Sequence, residues 1–380
     1  MAFAPRFPQD VPVLTDGVVT LRAPRLEDAE GSYEQCLDPL SRQWTSVPLE
    51  YTRADSVEYL TSFLPAGWRE DTEWGFAVEV PGEAGEPAYG GTVSLRNRGE
   101  GRAEIAYGSH PRARGNGMME RALRLLLDWG FRDKGLHTVV WLANRGNWAS
   151  RKLAWKVGFS FDGTVRQWLP QRGELLDAWV GSLLAGDARE PRSPWLASPV
   201  ISGRGLRLRP HDARDAPRLV EACNDPETRR WLGTLPAPYT PAEAAAYVEQ
   251  REVERAAGRG VNWAVCDPAD DRLLGTVGIF ELRLGIDAEV GFWVHPEARG
   301  RGVATEACRL ALRHAFVPEE DGGLGLGRVR AVVAEENAAS RRVVERLGMT
   351  LQGRERRLLE VQDGLADAAV YDVLTEEFRA

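Results

Sequence analysis

The sequence predicts an α/β (α+β) protein of two tandem domains, each a mixed central β-sheet flanked by helices. The first observation is a long internal repeat: HPRARGNGMMERALRLLLDWGF from His110 returns as HPEARGRGVATEACRLALRHAF from His295, 185 positions later. The second is that strand-like and helix-like segments follow each other in the same order in both halves. A repeat period this long indicates two complete domains, not a solenoid of short units.

Shorter matches on both sides of this repeat show how far the duplication extends. Leu21-Arg22 matches Leu208-Arg209 at an offset of 187, and Gly158-Phe159 matches Gly348-Met349 at an offset of 190. The offset drifts slightly, as insertions in loops would make it do.

A linker is predicted between the two copies. The segment from Gly186 to Pro199 is rich in proline, serine and charged residues, which is typical of an exposed connector. The expected domains are residues 1–185 and 200–380, joined by the linker 186–199. Each is long enough to bury a core without metals or disulfides.

The first part of each half predicts a short strand, two helical segments and a pair of strands. Asp and Thr before the helical runs are preferred N-cap residues, and turn-forming residues separate the paired strands. In the first half these are the strand Val18–Arg22, helices opening at Asp28 and Thr52, and the strands Phe76–Val80 and Gly90–Leu95. In the second half they are the strand Leu206–Arg209, helices opening at Asp215 and Thr240, and the strands Asn262–Cys266 and Gly275–Phe280.

The later part of each half predicts a strand, a glycine-rich loop, a long helix, a β-branched strand and a last helix. Apolar residues of the long helix recur at i, i+3, i+4 and i+7, as on one face of a helix. The last helix ends at a glycine, which favours the left-handed cap conformation. The strand spans Glu104–His110 or Glu289–His295, the β-branched strand begins at His137 or Arg328, and the last helix spans Ser150–Val157 or Ser340–Leu347.

Composition argues against several classes of partner. The net charge of −8 disfavours nucleic acid, and no apolar run approaches the ~20 residues of a membrane span. The N-terminal segment lacks the apolar core of a signal peptide, so we expect a cytoplasmic protein. The four cysteines have neither zinc-site spacing nor a disulfide framework, and no metal is expected. Only three of the 48 basic residues are lysine, which is typical of a GC-rich bacterial genome.

The glycine-rich loop of the second half has the features of a phosphate site. Arg299, Gly300, Arg301, Gly302, Val303 and Ala304 lie between a predicted strand and a predicted helix. Glycines let backbone amides approach an anion, and the N-terminus of the following helix directs further N–H groups at it. The loop lacks the Gly-Lys-Ser/Thr of a P-loop and the third glycine of a dinucleotide fingerprint.

These motifs together resemble the GNAT-type N-acyltransferases, in the branch of the ribosomal-protein N-terminal acetyltransferases RimJ and RimL. The phosphate loop of that family reads Gln/Arg-x-x-Gly-x-Gly/Ala, which Arg299, Gly302 and Ala304 satisfy. Asn337-x-x-Ser340 also resembles this branch. The resemblance implies a sheet whose two central strands splay apart, with the pantetheine of acyl-CoA in the gap and its pyrophosphate on the loop.

The first half departs from the family pattern at one position of its loop. Arg114, Gly115 and Gly117 are present, but Met119 stands where the family has Gly or Ala. We therefore expect a partly degenerate loop in the first half and an intact acyl-CoA loop in the second. Asn147 is the first-half counterpart of Asn337.

The resemblance also implies roles for individual residues. Glu289 would be the base that accepts the amine proton, directly or through water, and Ser340 would protonate the leaving thiolate. Backbone amides near Trp293 and Val294 would hold the thioester carbonyl, and Asn337 would contact CoA. Structural alternatives stay open, because Glu289 could be a plain carboxylate at a strand start, and Asn337 and Ser340 could simply cap a helix.

The expected function is transfer of an acyl group, most simply acetyl, from acetyl-CoA or another acyl-CoA to a primary amine, with the second half as catalyst. The acceptor would be a small molecule or the amine of a peptide or protein. One alternative is an acyltransferase that takes long-chain acyl groups, or acyl groups on an acyl carrier protein, to modify natural products or peptides. Another is a CoA-binding scaffold or sensor without catalysis.

Overall fold

The chain forms two compact units, Met1–Arg192 and Ser193–Ala380. The computed structural model describes residues 7, 11–83 and 85–379. Each unit is built on a mixed eight-stranded sheet with helices beside it, which confirms the predicted fold class. We call them the first and second units.

The first unit contains strands β1 to β8 and helices α1 to α6. Its strands are β1 (Leu14–Thr15), β2 (Thr20–Arg22), β3 (Glu73–Pro81), β4 (Pro87–Asn97), β5 (Arg102–Ser109), β6 (Thr138–Asn144), β7 (Gly163–Gln171) and β8 (Glu174–Leu184). Its helices are α1 (Ala29–Leu37), α2 (Pro39–Trp44), α3 (Arg53–Glu58), α4 (Leu64–Arg69), α5 (Met118–Arg132) and α6 (Trp148–Lys156). A π-helical turn, Tyr59–Phe63, joins α3 to α4.

The second unit repeats this plan with strands β9 to β16 and helices α7 to α11. Its strands are β9 (Ile201–Gly203), β10 (Leu206–Arg209), β11 (Val261–Cys266), β12 (Leu273–Arg283), β13 (Asp287–Val294), β14 (Arg328–Ala334), β15 (Thr350–Val361) and β16 (Gly364–Leu374). Its helices are α7 (Ala216–Asn224), α8 (Pro226–Trp231), α9 (Pro241–Ala256), α10 (Val303–Phe316) and α11 (Ala338–Arg346).

Each sheet has one parallel pair of neighbouring strands, β5 with β6 and β13 with β14, which we call the central strands, whereas all other neighbours are antiparallel. In the second unit the strand order is β9-β10-β11-β12-β13-β14-β16-β15. β13 and β14 pair only from Asp287↔Arg328 to Glu289↔Arg330, and beyond Glu289 the two strands have no register partners on each other. The splayed pair of central strands implied by the family resemblance is therefore present.

The faces of the second sheet are covered by different helices. Val290 of β13 packs into the core that contains Ala307, Ala311 and Leu312 of α10. Trp293 packs on the opposite side, against the cluster formed with α7 and α9. Side chains alternate along a strand, so Glu289 lies on the same face as Trp293.

The elements not predicted from the sequence are the last two strands of each unit, the short strands β1 and β9, and the short helices α2 and α8. Strand β15, with the sequence TLQGRERRLLEV, is exposed along most of its length, so it lacks the alternation that marks a half-buried strand. A bulge between Glu355 and Leu359 interrupts it further. The last predicted helix also begins two residues earlier than expected, at Ala338, because Asn337 is its N-cap.

A buried ion pair accounts for one of the repeated sequence matches. Arg209 donates two hydrogen bonds, of 2.9 and 2.8 Å, to the carboxylate of Asp215, and Arg22 does the same to Asp28 at 2.8 Å. Burial alone would raise the pKa of Asp215, but hydrogen bonds from Arg209 and His211 hold it well below its ordinary value of 3.8. The ion pair thus stabilises the folded second unit at neutral pH.

We expect Asp215→Asn to destabilise the second unit by about 3 kcal/mol, because it leaves a buried guanidinium poorly compensated. Since the folded pKa is depressed, the stabilisation is present at neutral pH and disappears as the pH falls below 3.8. Urea unfolding at pH 7 and pH 3 measures both effects. The matched control is Asp270→Asn, on an exposed turn, and equal losses in the two variants would contradict this account.

Candidate active site

The loop between β13 and α10 holds two glycines in the left-handed region. Gly300 has φ +73° and Gly302 has φ +79°, and a Cβ added to either would meet no atom within 4 Å. Gly302 is the N-cap of α10 and, having no side chain, leaves the helix without a side-chain cap hydrogen bond. The first N–H groups of α10 therefore face an open space, which is the arrangement that binds anions at helix N-termini.

The two arginines of this loop differ in what they contact. Arg299 donates hydrogen bonds to Asp225 at 2.5 Å and Thr228 at 2.7 Å, and Asp225 itself caps α8 through the amide of Thr228. Arg299 thus holds α8 against the loop. Arg301 is exposed and forms no ion pair with the described residues, which leaves its charge available to a phosphate.

A cavity of about 520 Å³ opens beside this loop. Its walls come from the loop, the end of β13, the start of α11 and α8. It brings together most of the residues predicted for the second half: Trp293, Val294, Arg299, Gly300, Gly302, Val303, Ala304, Asn337 and Ser340. The sequence analysis did not select the other wall residues, which include Trp231, Leu232, Phe292, Arg342 and Arg346.

Glu289 lies at the point where the central strands separate. It is the last β13 residue paired to β14, and it faces Phe280 of β12 across the sheet. Burial of its side chain and the nearby carboxylate of Glu281 raise the pKa of Glu289 to about 7, while Arg330 opposes the rise. Glu289 is outside the cavity wall and makes no hydrogen bond or ion pair to the described residues. A carboxylate with this pKa suits a general base at neutral pH.

Asn337 and Ser340 occupy the N-terminus of α11, at the cavity wall. The Asn337 side chain accepts a hydrogen bond of 3.0 Å from the Ser340 amide, so the capping role considered from the sequence is real. The Ser340 hydroxyl makes no hydrogen bond to the described residues and lies on the cavity. Capping by Asn337 therefore positions Ser340 without occupying its hydroxyl.

The corresponding glutamate of the first unit is in a different environment. Glu104 accepts hydrogen bonds from Arg96 at 3.1 Å and Arg98 at 2.5 Å. Arg96 faces Glu104 across the sheet as Phe280 faces Glu289. Two guanidinium groups thus occupy the carboxylate of Glu104, whereas Glu289 has no such partners among the described residues.

The hydroxyl of the corresponding serine in the first unit is also hydrogen-bonded. Ser150 Oγ lies 2.7 Å from Tyr107 Oη, and Trp141 Nε1 donates to both oxygens at 3.0 Å. Trp141 is 1% exposed, and the matching residue of the second unit is Ala331. An indole therefore fills the space beside Ser150.

The loop of the first unit is less altered than Met119 suggested. Gly115 and Gly117 have φ values of +75° and +81°, and Met119 is buried in the core, 6% exposed. Arg114 contacts Asp38 at 2.7 Å and Ser41 at 3.0 Å, and Asn147 caps α6 through the Ser150 amide at 3.1 Å. The flexible side chain of Met119 thus turns into the core.

Two further observations concern the part of the chain that the structure describes. None of its helices is long and apolar enough to cross a membrane. No group of three or more His, Cys, Asp or Glu side chains within it could hold a metal ion.

Comparison with known proteins identifies one family in both units. The model of the acetyltransferase (GNAT) domain matches residues 19–160 and again residues 205–350. A Bacillus subtilis protein provisionally named the ribosomal N-acetyltransferase YdaF is 36% identical over 110 residues, which cover 29% of this chain and 57% of that relative. The B. subtilis N-acetyltransferase YoaA, otherwise uncharacterised, is 25% identical over 177 residues, covering 46% of this chain and 97% of the relative.

Solved structures of similar proteins match one unit at a time. RimJ of Mycobacterium smegmatis, in complex with CoA-disulfide, is 25% identical with a TM-score of 0.41, and the match covers 46% of this chain and 84% of RimJ. The first two curated relatives are matched over only 57% and 62% of their own lengths.

Proposed function

Because the chain belongs to the GNAT acetyltransferase family, which matches both of its units, we propose that it transfers an acetyl group from acetyl-CoA to a primary amine and that the second unit is the catalyst. One observation carries the choice of unit. The second unit combines an open cavity with an unpaired Glu289 and Ser340, whereas the matching Glu104 and Ser150 are hydrogen-bonded in the first unit.

The binding of acetyl-CoA in this proposal follows the walls of the cavity. The pyrophosphate would lie on the amides of Gly300 to Ala304, where the charge of Arg301 and the N-terminus of α10 favour an anion. The pantetheine would follow the edge of β13 beyond Glu289, which β14 leaves without a ladder partner. Asn337 and the apolar side chains Phe292 and Leu232 line the same space.

The chemistry needs one proton acceptor, one oxyanion site and one proton donor. Glu289 takes a proton from the acceptor ammonium, and the free amine then attacks the thioester carbonyl. Backbone amides near Trp293 and Val294 stabilise the oxyanion of the tetrahedral intermediate. When the C–S bond breaks, Ser340 donates its proton to the thiolate and receives the second proton of the amine nitrogen, which restores its hydroxyl. Glu289 then releases its proton to solvent.

We expect Ser340→Ala to lower kcat about tenfold, about 1.4 kcal/mol of barrier, with little change in the KM of acetyl-CoA. The hydroxyl is lost, but the Asn337 cap is made to the backbone amide and stays. Steady-state thiol release measures both parameters. Ser150→Ala is the matched control and should leave kcat unchanged, and a Ser340→Ala rate within about twofold of the parent would remove this serine from the mechanism.

We expect Gly302→Val to weaken CoA binding at least about tenfold, because a β-branched residue is strained at φ +79° and distorts the amides of the loop. Titration calorimetry with CoA measures the effect. Gly322→Val introduces the same strain at φ +83° outside the loop, and Gly117→Val introduces it in the first loop. Both controls should bind CoA normally, and equal binding by Gly302→Val would refute the loop assignment.

The identities of the amine acceptor and of the acyl donor are separate proposals. The name of the relative YdaF supports a protein or peptide N-terminus among the candidate amines, and small-molecule amines stay candidates. A panel of amine acceptors, assayed by thiol release from acetyl-CoA, from long-chain acyl-CoA and from acyl carrier protein, tests both. Tight binding of CoA without thiol release from any donor and acceptor would favour the scaffold or sensor.

A further inference from the structure

A β-bulge lies beside Glu289 on the neighbouring strand. The register of β12 against β13 shifts between Phe280 and Arg283, and Glu281 adopts a left-handed φ of +49°. A residue other than glycine rarely adopts this conformation, and bulges of this kind often re-aim a side chain near an active site. The bulge falls at the level where β13 and β14 separate.

The contacts of Glu281 show where its carboxylate points. Its Oε2 accepts a hydrogen bond of 3.5 Å from Arg330, the β14 residue in register with Glu289. Its negative charge also contributes to the raised pKa of Glu289. The bulge therefore brings Glu281 onto the face of Glu289, with its side chain 66% exposed.

The positive and negative charges around Glu281 and Glu289 do not balance. Arg330 forms an ion pair with Glu281 at 3.5 Å, and it acts on Glu289 only through its charge. The other charged groups nearby are already paired, since Arg283 contacts Asp287 and Arg328 contacts Asp372 at 2.6 Å. A cation that arrives between Glu281 and Glu289 would meet an excess of negative charge.

In the first unit the matching glutamate is paired with arginines, one of which also contacts Glu73. Asn97 occupies the position of Glu281, and Arg96 and Arg98 surround Glu104. The glutamate pair is thus a property of the second unit alone. The duplication provides an internal reference in which the same fold lacks the feature.

We propose that Glu281 is a specificity-determining residue, which together with Glu289 binds the ammonium group of the acceptor on the face of the sheet that carries Trp293. This inference rests on the proposed function and adds a second carboxylate to the recognition of its ammonium substrate. Glu289 then takes the proton, and Glu281 stays ionised and holds the amine beside the thioester.

The test uses n-butylammonium as a probe on the full chain saturated with CoA. The side-chain carboxyl of Glu289 is followed by ¹³C NMR in glutamate-labelled protein, with its signal assigned by its absence in Glu289→Gln. In the parent, n-butylammonium should bind saturably and lower the pKa of Glu289, whereas n-butanol should do neither. Glu281→Gln should weaken the binding of n-butylammonium at least fivefold. Glu281→Asn, which introduces the residue of the first unit, should have the same effect.

The control is Glu320→Gln, which removes one negative charge from an exposed turn elsewhere in the unit and should bind the probe as the parent does. Thermal unfolding of each variant verifies the fold. Equal affinity for n-butylammonium in the parent and in Glu281→Gln, or no saturation in the parent, would overturn the inference. Thiol release is assayed separately, so a chain that binds the probe without turnover would refute the proposed function and leave this site standing.

Discussion

A Glu289→Gln variant is expected to lose about 10²–10⁴-fold in kcat, the usual contribution of a positioned general base. The amide keeps the size of the side chain but cannot accept the ammonium proton. Because Glu289 is outside the cavity wall, the affinity for CoA should stay within about twofold of the parent. Thiol release at saturating acetyl-CoA and amine gives kcat, and titration calorimetry gives the affinity.

The pH dependence of kcat provides a second test of Glu289 as the general base. Glu289 works as a base only when it is ionised, so kcat should rise with pH through an apparent pKa near 7. Phe280→Arg places a guanidinium where the first unit has Arg96, and this charge favours the carboxylate. We expect the rising limb to move to lower pH by about one unit, and the plateau rate to fall because the base is weaker.

Two variants serve as controls for these experiments. Glu104→Gln removes the matching glutamate of the first unit and should leave kcat unchanged, since Arg96 and Arg98 already hold it as an ion pair. Glu320→Gln tests for a general effect of lost negative charge. A pH profile that keeps its rising limb in Glu289→Gln would assign that limb to another group and exclude Glu289 as the base.

The phosphate loop could be predicted from the sequence because its determinants are local. A left-handed conformation at Gly300 and Gly302 follows from residue type, and a helix N-terminus follows from the apolar periodicity of the next segment. The duplication then placed the same loop in both units. Capping by Asn337, one of the two roles left open for it, could be considered for the same reason, since Asn is a preferred N-cap residue.

The features that distinguish the two units could not be predicted in the same way, because they depend on residues far apart in sequence. The contact of Trp141 with Tyr107 and Ser150 depends on which strands are neighbours. The raised pKa of Glu289 depends on burial and on the charge of Glu281, which lies at a bulge whose register cannot be read from β12 alone. A position-by-position comparison of the two halves would have revealed both differences. The first unit has Trp141 and Arg96 where the second unit has Ala331 and Phe280.

The double variant Phe292→Tyr/Ala331→Trp is expected to reduce CoA affinity at least about 100-fold, or about 2.7 kcal/mol. It builds in the second unit the Tyr, Trp and Ser cluster that the first unit contains. The indole then occupies the space beside Ser340 and blocks the pantetheine. Because the three polar atoms can satisfy one another as they do in the first unit, the fold should lose no more than the ~1–3 kcal/mol typical of overpacking.

The number of CoA molecules bound per chain tests whether Trp141 closes the first unit to CoA. If the first unit is closed by Trp141, titration calorimetry of the parent should give one tight CoA per chain, and the double variant should give none. Arg114→Ala should then leave turnover nearly intact, whereas Arg299→Ala should lower it by releasing α8 from the loop. Two equivalent CoA molecules per chain, or turnover lost with Arg114→Ala and kept with Arg299→Ala, would make the first unit a working site and require a different role for Trp141.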